Sequence, residues 1–229
     1  MLKTKGLTLH YGGSQILHGI DLAAAKGEVT CVMGTNGVGK TSLLKALAGT
    51  HLRSGGTVTC NGKEMGRVPP QVMARQGLAY VPQGRMIFPL LTVRENLETG
   101  FALLPKSDHR IPDEIYDLFP MLKDMGHRRG GDLSGGQQQQ LAIARAMITR
   151  PKVMLMDEPT EGIQPSIIQQ IGRVITYLKQ RGDMAIILVE QYLDFAYDLG
   201  DQFYVLQRGS VIASGAKATI TREQLRQGL

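Results

Sequence analysis

The sequence predicts an α/β fold: a mostly parallel sheet with helices on both faces, an antiparallel β part near the N-terminus, and a helical insertion. A chain of 229 residues with 42% hydrophobic and 20% charged residues suits one globular domain. Strand-like apolar runs alternate with helix-like periodic segments, except that residues 88–147 contain helices and loops with few β-branched runs. We therefore expect a single domain over 1–229, with a core from 1–87 and 148–229 and a helical subdomain from 88–147.

The composition excludes several classes of function. A formal net charge of +6 would suit anionic ligands. The basic residues are scattered, however, and 5% aromatic residues without tryptophan give little surface for stacking bases, so we expect no nucleic-acid partner. No run approaches the roughly 18 apolar residues of a membrane span, and we expect no secretory signal. Cys31 and Cys60 lie in strand-like runs and indicate a reducing compartment.

The first third of the chain predicts short strands around one helix. Strand-like runs lie at 7–9, 16–22, 29–33, 57–60 and 78–81. The pair Asn61-Gly62 is a turn signal after the fourth run. Between the third and fourth runs, "GKTSLLKALAG" has helical character, with Gly49 as its C-terminal cap.

The last third alternates strands with helices, as a parallel sheet requires. "KVMLMDEP" contains a buried strand at 153–156, and "MAIILVE" predicts another that is apolar on both faces. Between them, "PSIIQQIGRVITYLKQRG" predicts a helix ending at Gly182. One face of this helix is apolar: Ile167, Ile168, Ile171, Val174, Ile175 and Leu178. Runs at 203–206 and 211–213 flank "QRGS", a hairpin signal.

"GTNGVGKT" matches the phosphate-binding pattern G-x-x-x-x-G-K-[ST] at every fixed position. A strand precedes it and a helix begins at Lys40, as its mechanism requires. Glycines let backbone N–H groups wrap phosphates, and the helix N-terminus favours an anion. Lys40 would reach the β- and γ-phosphates, and the Thr41 hydroxyl would hold Mg²⁺. The sequence thus predicts a P-loop NTPase core with this nucleotide site: Gly34, Thr35, Asn36, Gly37, Val38, Gly39, Lys40, Thr41 and Ser42.

A P-loop needs an acidic element, and "VMLMDEP" supplies it. The apolar strand delivers Asp157 and Glu158 at its carboxyl end, where ligands of open α/β sheets bind. Asp157 would support the Mg²⁺ shell. Glu158 would accept a proton from the attacking water, a role worth about 10²–10⁴-fold in rate. Without the P-loop, the same residues would indicate a simple acidic turn before Pro159.

The stretch "LSGGQQQQLAIARA" suits either a flexible spacer or the start of a helix. Apolar residues continue after the glutamines with helical spacing. Ser134 has the chemistry of an N-cap, and Gln137 stands three residues later in capping-box register. These features favour a helix that begins at this serine.

With "GTNGVGKT", "LSGGQ" and "VMLMDEP" in this order, the chain resembles the ATP-binding subunit of ABC transporters over essentially its whole length. The resemblance implies one ABC-type ATPase domain that uses ATP and Mg²⁺. It also implies that Ser134, Gly135, Gly136 and Gln137 face the γ-phosphate of ATP bound to a second subunit. Glycines and a helix N-terminus suit that role. We expect Gln138 to Gln140 to be ordinary helix surface.

The resemblance assigns further roles. Tyr11 would stack on adenine. Gln83, in "VPQGR", would contact Mg²⁺ or water and report to the membrane domain, so the implied metal set is Thr41, Gln83 and Asp157. The helical subdomain 88–147 would dock transmembrane permease subunits through a short coupling helix.

Two residues depart from the family pattern. Gln191 follows "ILVE", where the family usually has a histidine. Its amide can hydrogen-bond a γ-phosphate, but it carries no charge and shuttles no proton. We therefore group it with Glu158 and Gln83 as catalytic, in the role of a weaker sensor. Gln164 replaces a usual aspartate in the loop after Glu158, which weakens the expected contact of that loop with a second subunit.

"LVEQ" and the short single domain resemble the high-affinity uptake group for branched-chain amino acids and urea. "TEGIQPSII" and "RRGGDLSGGQQQQLAIARA" are most similar to the ATP-binding protein of urea transporters. We accordingly expect an ATP-hydrolysing motor of an ABC uptake transporter for urea, with branched-chain amino acids as the second candidate cargo. A soluble nucleic-acid-linked ATPase is disfavoured because no heptad run spans three repeats, and a non-catalytic nucleotide-binding regulator is the third hypothesis.

The same resemblance implies the partners. They are transmembrane permease subunits, a second ATP-binding subunit (a homologous partner or another copy) and, indirectly, a solute-binding protein. The expected location is the cytoplasmic face of the inner (plasma) membrane, with peripheral attachment. Residues after Thr219 are polar and suggest a docking tail.

Overall fold

The computed structural model describes residues 1–227 of the chain. Its strands form a four-stranded sheet and a six-stranded sheet. The strands are β1 (Leu2–Tyr11), β2 (Ser14–Ala24), β3 (Val29–Met33), β4 (Gly55–Cys60), β5 (Lys63–Met65), β6 (Leu78–Val81), β7 (Val153–Asp157), β8 (Ala185–Glu190), β9 (Gln202–Gln207) and β10 (Ser210–Ala216). The helices are α1 (Lys40–Ala48), α2 (Pro70–Arg75), α3 (Val93–Glu98), α4 (Asp113–Leu118), α5 (Pro120–Asp124), α6 (Gly135–Ile148), α7 (Pro165–Arg181), α8 (Leu193–Leu199) and α9 (Arg222–Arg226).

The four-stranded sheet has the order β2-β1-β4-β5, and all its pairs are antiparallel, which confirms the predicted antiparallel part. Leu2, Leu7 and Leu9 are buried along β1 together with Thr4, while Lys3 and Lys5 are exposed. This alternation makes the apolar runs look short, so the sequence predicted only the centres of β1 and β2. The polar strand β5 gave no signal.

The six-stranded sheet has the order β10-β9-β3-β8-β7-β6. Pairs among β9, β3, β8, β7 and β6 are parallel, and the predicted hairpin adds β10 antiparallel to β9. Strands β3, β7 and β8 are buried along their whole length, which explains their continuous apolar runs. The carboxyl ends of these parallel strands meet at one edge of the sheet.

This sheet separates two hydrophobic cores. Alternate residues of β7 face opposite ways: Met154 and Met156 pack with the core that includes α6 and α7, whereas Val153 and Leu155 pack with α1 and the antiparallel sheet. The predicted apolar face of α7 is confirmed. Its residues from Ile171 onward are fully buried, and the two isoleucines before them are partly buried.

One expectation was wrong. Gln139 and Gln140 are buried, because α6 is covered on most sides by the rest of the helical segment and the sheet. Gln138 is partly buried and donates to the backbone oxygens of Gly130 and Leu133. The docking role of the segment after Thr219 stays a prediction; as far as residue 227 this segment contains α9, which begins at a capping box and buries Leu225. Its last two residues lie outside the described range.

Among residues 1–227, none of the helices combines the length and apolar character that crossing a membrane requires.

Candidate active site

The predicted phosphate loop forms the turn from β3 into α1. A Cβ on Gly34 would lie 2.4 Å from the backbone oxygen of Leu206, so the turn requires glycine there. The Lys40 ammonium donates to the backbone oxygens of Gly34 at 2.7 Å and Thr35 at 2.9 Å. A loop whose carbonyls turn inward onto a lysine leaves its N–H groups to face an anion, which fits a phosphate ligand.

A cavity of about 280 Å³ opens in front of this loop. It is lined by Tyr11, Ile16, Asn36, Gly37, Gly39, Lys40, Thr41, Ser42, Gln83 and Glu158. Three predicted nucleotide residues do not line it: Gly34 and Thr35, whose backbone oxygens accept from Lys40, and Val38, which is buried in the core.

Asp157 ends β7 and is almost fully buried. The Thr41 hydroxyl donates to its Oδ1 at 3.1 Å, and the Tyr80 hydroxyl donates to its Oδ2 at 3.0 Å. Burial raises the pKa of Asp157, and these two hydrogen bonds oppose that rise. A threonine hydroxyl beside a buried carboxylate offers the oxygen ligands that Mg²⁺ prefers, so the residues fit this metal.

Three predicted residues, Lys40, Gln83 and Gln191, converge at Glu158. Lys40 Nζ lies 3.2 Å from its Oε1, and both side chains are nearly inaccessible to solvent. Gln191 donates to the same oxygen at 2.7 Å, and Gln83 donates to Oε2 at 3.2 Å. Glu158 also has a φ of 46°, a strained value for a non-glycine residue. The carboxylate is therefore held by one cation and two amides.

The two amides have further partners that the sequence did not indicate. Gln191 also donates to Asn36 Oδ1 at 2.7 Å, which ties the loop after β8 to the phosphate loop. Gln83 also donates to Glu161 Oε2 at 2.9 Å, which ties the loop after β6 to the loop after β7.

Tyr11 lies at the rim of the cavity as the last residue of β1. Its side chain is 40% exposed, and its ring packs on the His51 ring with centroids 4.3 Å apart. An exposed aromatic ring beside a phosphate loop suits stacking with adenine, which stays a prediction.

The "LSGGQ" segment begins α6 as the sequence indicated. Ser134 N donates to Gln137 Oε1 at 2.9 Å, and Gln137 N donates to Ser134 Oγ, so the capping box is confirmed. A Cβ on Gly135 would lie 2.9 Å from the Arg85 guanidinium, and one on Gly136 would lie 3.0 Å from Ile167. Within the described part of the chain, the lining of the cavity includes no residue of 134–137.

The residue before Gln191 was missed. Glu190 is buried, and its carboxylate accepts from the backbone N–H groups of Thr160, Gln191 and Tyr192 and from the Thr160 hydroxyl. Burial raises its pKa, although each of these hydrogen bonds lowers it. The sequence carried a signal, since a carboxylate closing a fully apolar strand needs partners when buried.

Gln164 is the N-cap of α7, and its side chain makes no capping hydrogen bond. The helix instead starts with Pro165 at its first position, which suits a helix start. The amide of Gln164 thus has no capping role at this helix.

Comparisons with known proteins agree with this geometry. The family model described as "ABC transporter" matches residues 17–161. The high-affinity branched-chain amino acid transport ATP-binding protein BraG of Pseudomonas aeruginosa is 38% identical over 96% of this chain and 94% of its own length. The probable branched-chain amino acid transport ATP-binding protein LivF of Archaeoglobus fulgidus is 36% identical over 94% of this chain and 92% of its own.

A solved structure also matches. The crystal structure of the ADP conformation of an ATP-binding cassette of an ABC transporter is 26% identical, with a TM-score of 0.83 over 99% of this chain and 93% of that one. The phosphate loop, the Asp157–Glu158 pair and the capped "LSGGQ" helix occur within the same fold. The chain therefore belongs to the ABC transporter family, as an ATP-binding subunit whose ATP hydrolysis is coupled to import.

Proposed function

We propose that the residues around Glu158 carry out the hydrolysis. The observation that supports this most is the convergence of Lys40, Gln83 and Gln191 on this one carboxylate. Glu158 accepts the proton of the attacking water, and the amides of Gln83 and Gln191 orient that water. Thr41, Asp157 and Gln83 would hold Mg²⁺, which would neutralise charge on the phosphates.

Lys40 has two roles that exclude each other. Its ammonium pairs with Glu158 at 3.2 Å, and the same ammonium is the group that binds the β- and γ-phosphates. When the phosphates take this cation, Glu158 loses its counter-ion, so nucleotide binding breaks the ion pair that holds this carboxylate.

The second half of the site comes from another subunit. Each chain has one phosphate loop and one "LSGGQ" segment, and 134–137 do not contribute to the cavity in front of the loop. Ser134, Gly135, Gly136 and Gln137 therefore close over ATP held by a second ATP-binding subunit, either another copy or a homologous partner. Closure moves the permease subunits at the cytoplasmic face of the membrane, and a solute-binding protein delivers the cargo.

The cargo is a branched-chain amino acid or urea. The names of the bacterial relative BraG and the archaeal relative LivF support branched-chain amino acids as the cargo. The segments "TEGIQPSII" and "RRGGDLSGGQQQQLAIARA" support urea as the second candidate.

Uptake of labelled leucine and labelled urea tests both the transport function and the cargo. It is measured in cells that carry the intact chain, the Glu158→Gln variant or no chain. We expect one of the two uptakes to be lost in the last two strains and the other to be unchanged. Glu161→Gln is the matched control, because Glu161 accepts from Gln83 yet makes no contact with the phosphate loop. If both solutes enter equally well in all strains, the proposed transport function is wrong.

A further inference from the structure

Glu190 joins two loops of the site through one buried side chain. Its Oε1 accepts from the Thr160 backbone N–H at 3.1 Å and from the Thr160 hydroxyl at 2.8 Å. Its Oε2 accepts from the backbone N–H groups of Gln191 at 3.1 Å and Tyr192 at 3.4 Å. One oxygen thus serves the loop after β7, and the other serves the loop after β8.

Hydrogen bonds, rather than a cation, compensate the buried charge of Glu190. Glu190 is 2% exposed, and within residues 1–227 it forms no ion pair with lysine, arginine or histidine. A buried charge without a cation is costly unless hydrogen bonds compensate it. The donors that compensate it all belong to these two loops. Both loops donate hydrogen bonds to Glu190, one loop to each oxygen. A glutamine at this position would have an acceptor oxygen on one side only, so the junction requires a carboxylate.

Both loops also reach Glu158. Gln191 donates directly to Glu158, and Thr160 lies two residues after it in the chain. The backbone N–H of Glu158 donates to the oxygen of Val189, the residue before Glu190. The Glu190 carboxylate thus connects the backbone of Gln191 to Thr160, at the start of the segment 160–164.

We propose that Glu190 is a positioning residue that makes the Gln191 sensor and the segment 160–164 move as one unit. The proposal rests on the proposed hydrolysis at Glu158 and the proposed second subunit. It adds a route by which nucleotide engagement in one chain reaches a loop next to the second subunit.

Glu190→Gln tests this in the assembled transporter, because the change keeps size and removes one acceptor. The new amide can donate to the Thr160 hydroxyl, but the Thr160 N–H then loses its partner. We expect the Kd for ATP to stay within about twofold and kcat to fall about tenfold, the loss corresponding to roughly 1.4 kcal/mol. A merely structural role would lower the thermal unfolding temperature and leave kcat per intact site unchanged.

Thr160→Val and Thr4→Val form a matched pair. Both threonines are buried to a similar degree, and the Thr4 hydroxyl donates to the Ile20 oxygen inside the antiparallel sheet. We expect Thr160→Val to lower kcat with an unchanged Kd for ATP, and Thr4→Val to affect stability alone. The double variant Glu190→Gln, Thr160→Val loses both bonds to residue 160, the one from its N–H and the one from its hydroxyl, so its kcat should be at least as low as that of either single variant.

Wild-type kcat for both Glu190→Gln and Thr160→Val would overturn the proposal, as would wild-type kcat in the double variant. If Glu190→Gln does not fold, the comparison of Thr160→Val with Thr4→Val decides alone. If the unsubstituted transporter fails to hydrolyse ATP, the proposed function is wrong, and that result is distinct from a failure of the coupling.

Discussion

At the scale of single residues, the pair formed by Lys40 and Glu158 dominates the electrostatics of the site. Both side chains are nearly fully buried. Removing one partner of a buried pair leaves an uncompensated charge, which costs more than removing both. The pair can therefore be tested through stability, independently of nucleotide.

We expect Lys40→Ala to lower the free energy of unfolding by on the order of 3 kcal/mol, because it leaves the Glu158 carboxylate buried without a cation. Adding Glu158→Gln should restore part of that loss, since the amide is neutral and its one oxygen can still accept from either Gln83 or Gln191. Urea unfolding of the three proteins measures this. A double variant no more stable than Lys40→Ala would show that the charge on Glu158 is already compensated by the two amides.

Tyr80 donates to Asp157, the carboxylate that we propose supports Mg²⁺. Tyr80→Phe removes the donor to Asp157 Oδ2 but keeps the ring. Loss of a hydrogen bond that orients a metal-binding carboxylate typically weakens metal affinity by about tenfold or more. We expect hydrolysis to require about ten times more Mg²⁺ with little change in maximal rate, measured by Mg²⁺ titration at saturating ATP.

Tyr204→Phe is the control for Tyr80→Phe. The Tyr204 hydroxyl is also buried, and it accepts from the Ala23 N–H far from the site. An equal shift in the Mg²⁺ requirement of both variants would rule out a specific role for Tyr80.

How far the site could be predicted depends on how its contacts are spaced in the chain. The phosphate loop and the Asp157–Glu158 pair are local patterns, so spacing alone identified them. Tyr80 and Glu161 could not be identified that way, because their partners lie 77 and 78 residues away. Parallel pairing of β6 with β7 brings Tyr80 beside the end of β7, and a sequence pattern does not contain that register.

At the scale of elements, the start of α6 could be predicted from the sequence, whereas the burial of its interior could not. The capping box at Ser134 is a local motif and was predicted correctly. The burial of Gln139 and Gln140 depends on neighbours distant in sequence, so helical spacing alone suggested surface. Gln140 Oε1 and Gln139 Nε2 are buried without a hydrogen-bond partner within the described part of the chain.

We expect Gln140→Met to raise the free energy of unfolding by about 1 kcal/mol, because it replaces an unpartnered buried amide by an apolar side chain of similar length. Gln138→Met should lower it instead, since that change breaks the bonds to Gly130 and Leu133. Thermal unfolding of both variants measures the difference. A loss of stability in Gln140→Met would mean that its amide has a partner in solution, such as water.

At the scale of the whole molecule, the sheet edge gathers the groups that we propose to be catalytic, while the capped end of α6 stays outside the cavity in front of the phosphate loop. The alternation of strands and helices was enough to predict the sheet and its site-bearing edge, because parallel strands must point the same way. The division into core 1–87 with 148–229 and helical subdomain 88–147 stays a prediction, although the helices α3 to α6 lie between β6 and β7.

A complete site should therefore need two chains, and mixing two defective ones tests this. Lys40→Ala disables the phosphate loop and keeps the "LSGGQ" segment, whereas Ser134→Arg blocks that segment and keeps the phosphate loop. Each variant alone is expected to be inactive. In a mixed pair, the phosphate loop of one chain meets the intact "LSGGQ" segment of the other, so one of the two sites is complete. With random pairing of equal amounts, about a quarter of the wild-type ATPase activity should return.

A rate equal to the sum of the separate variants would mean that the second half of the site comes from a different subunit or from the same chain. Adding a homologous ATP-binding subunit to Ser134→Arg and to Lys40→Ala in turn separates those two cases. ATPase activity returns only if the second half of the site comes from a different subunit.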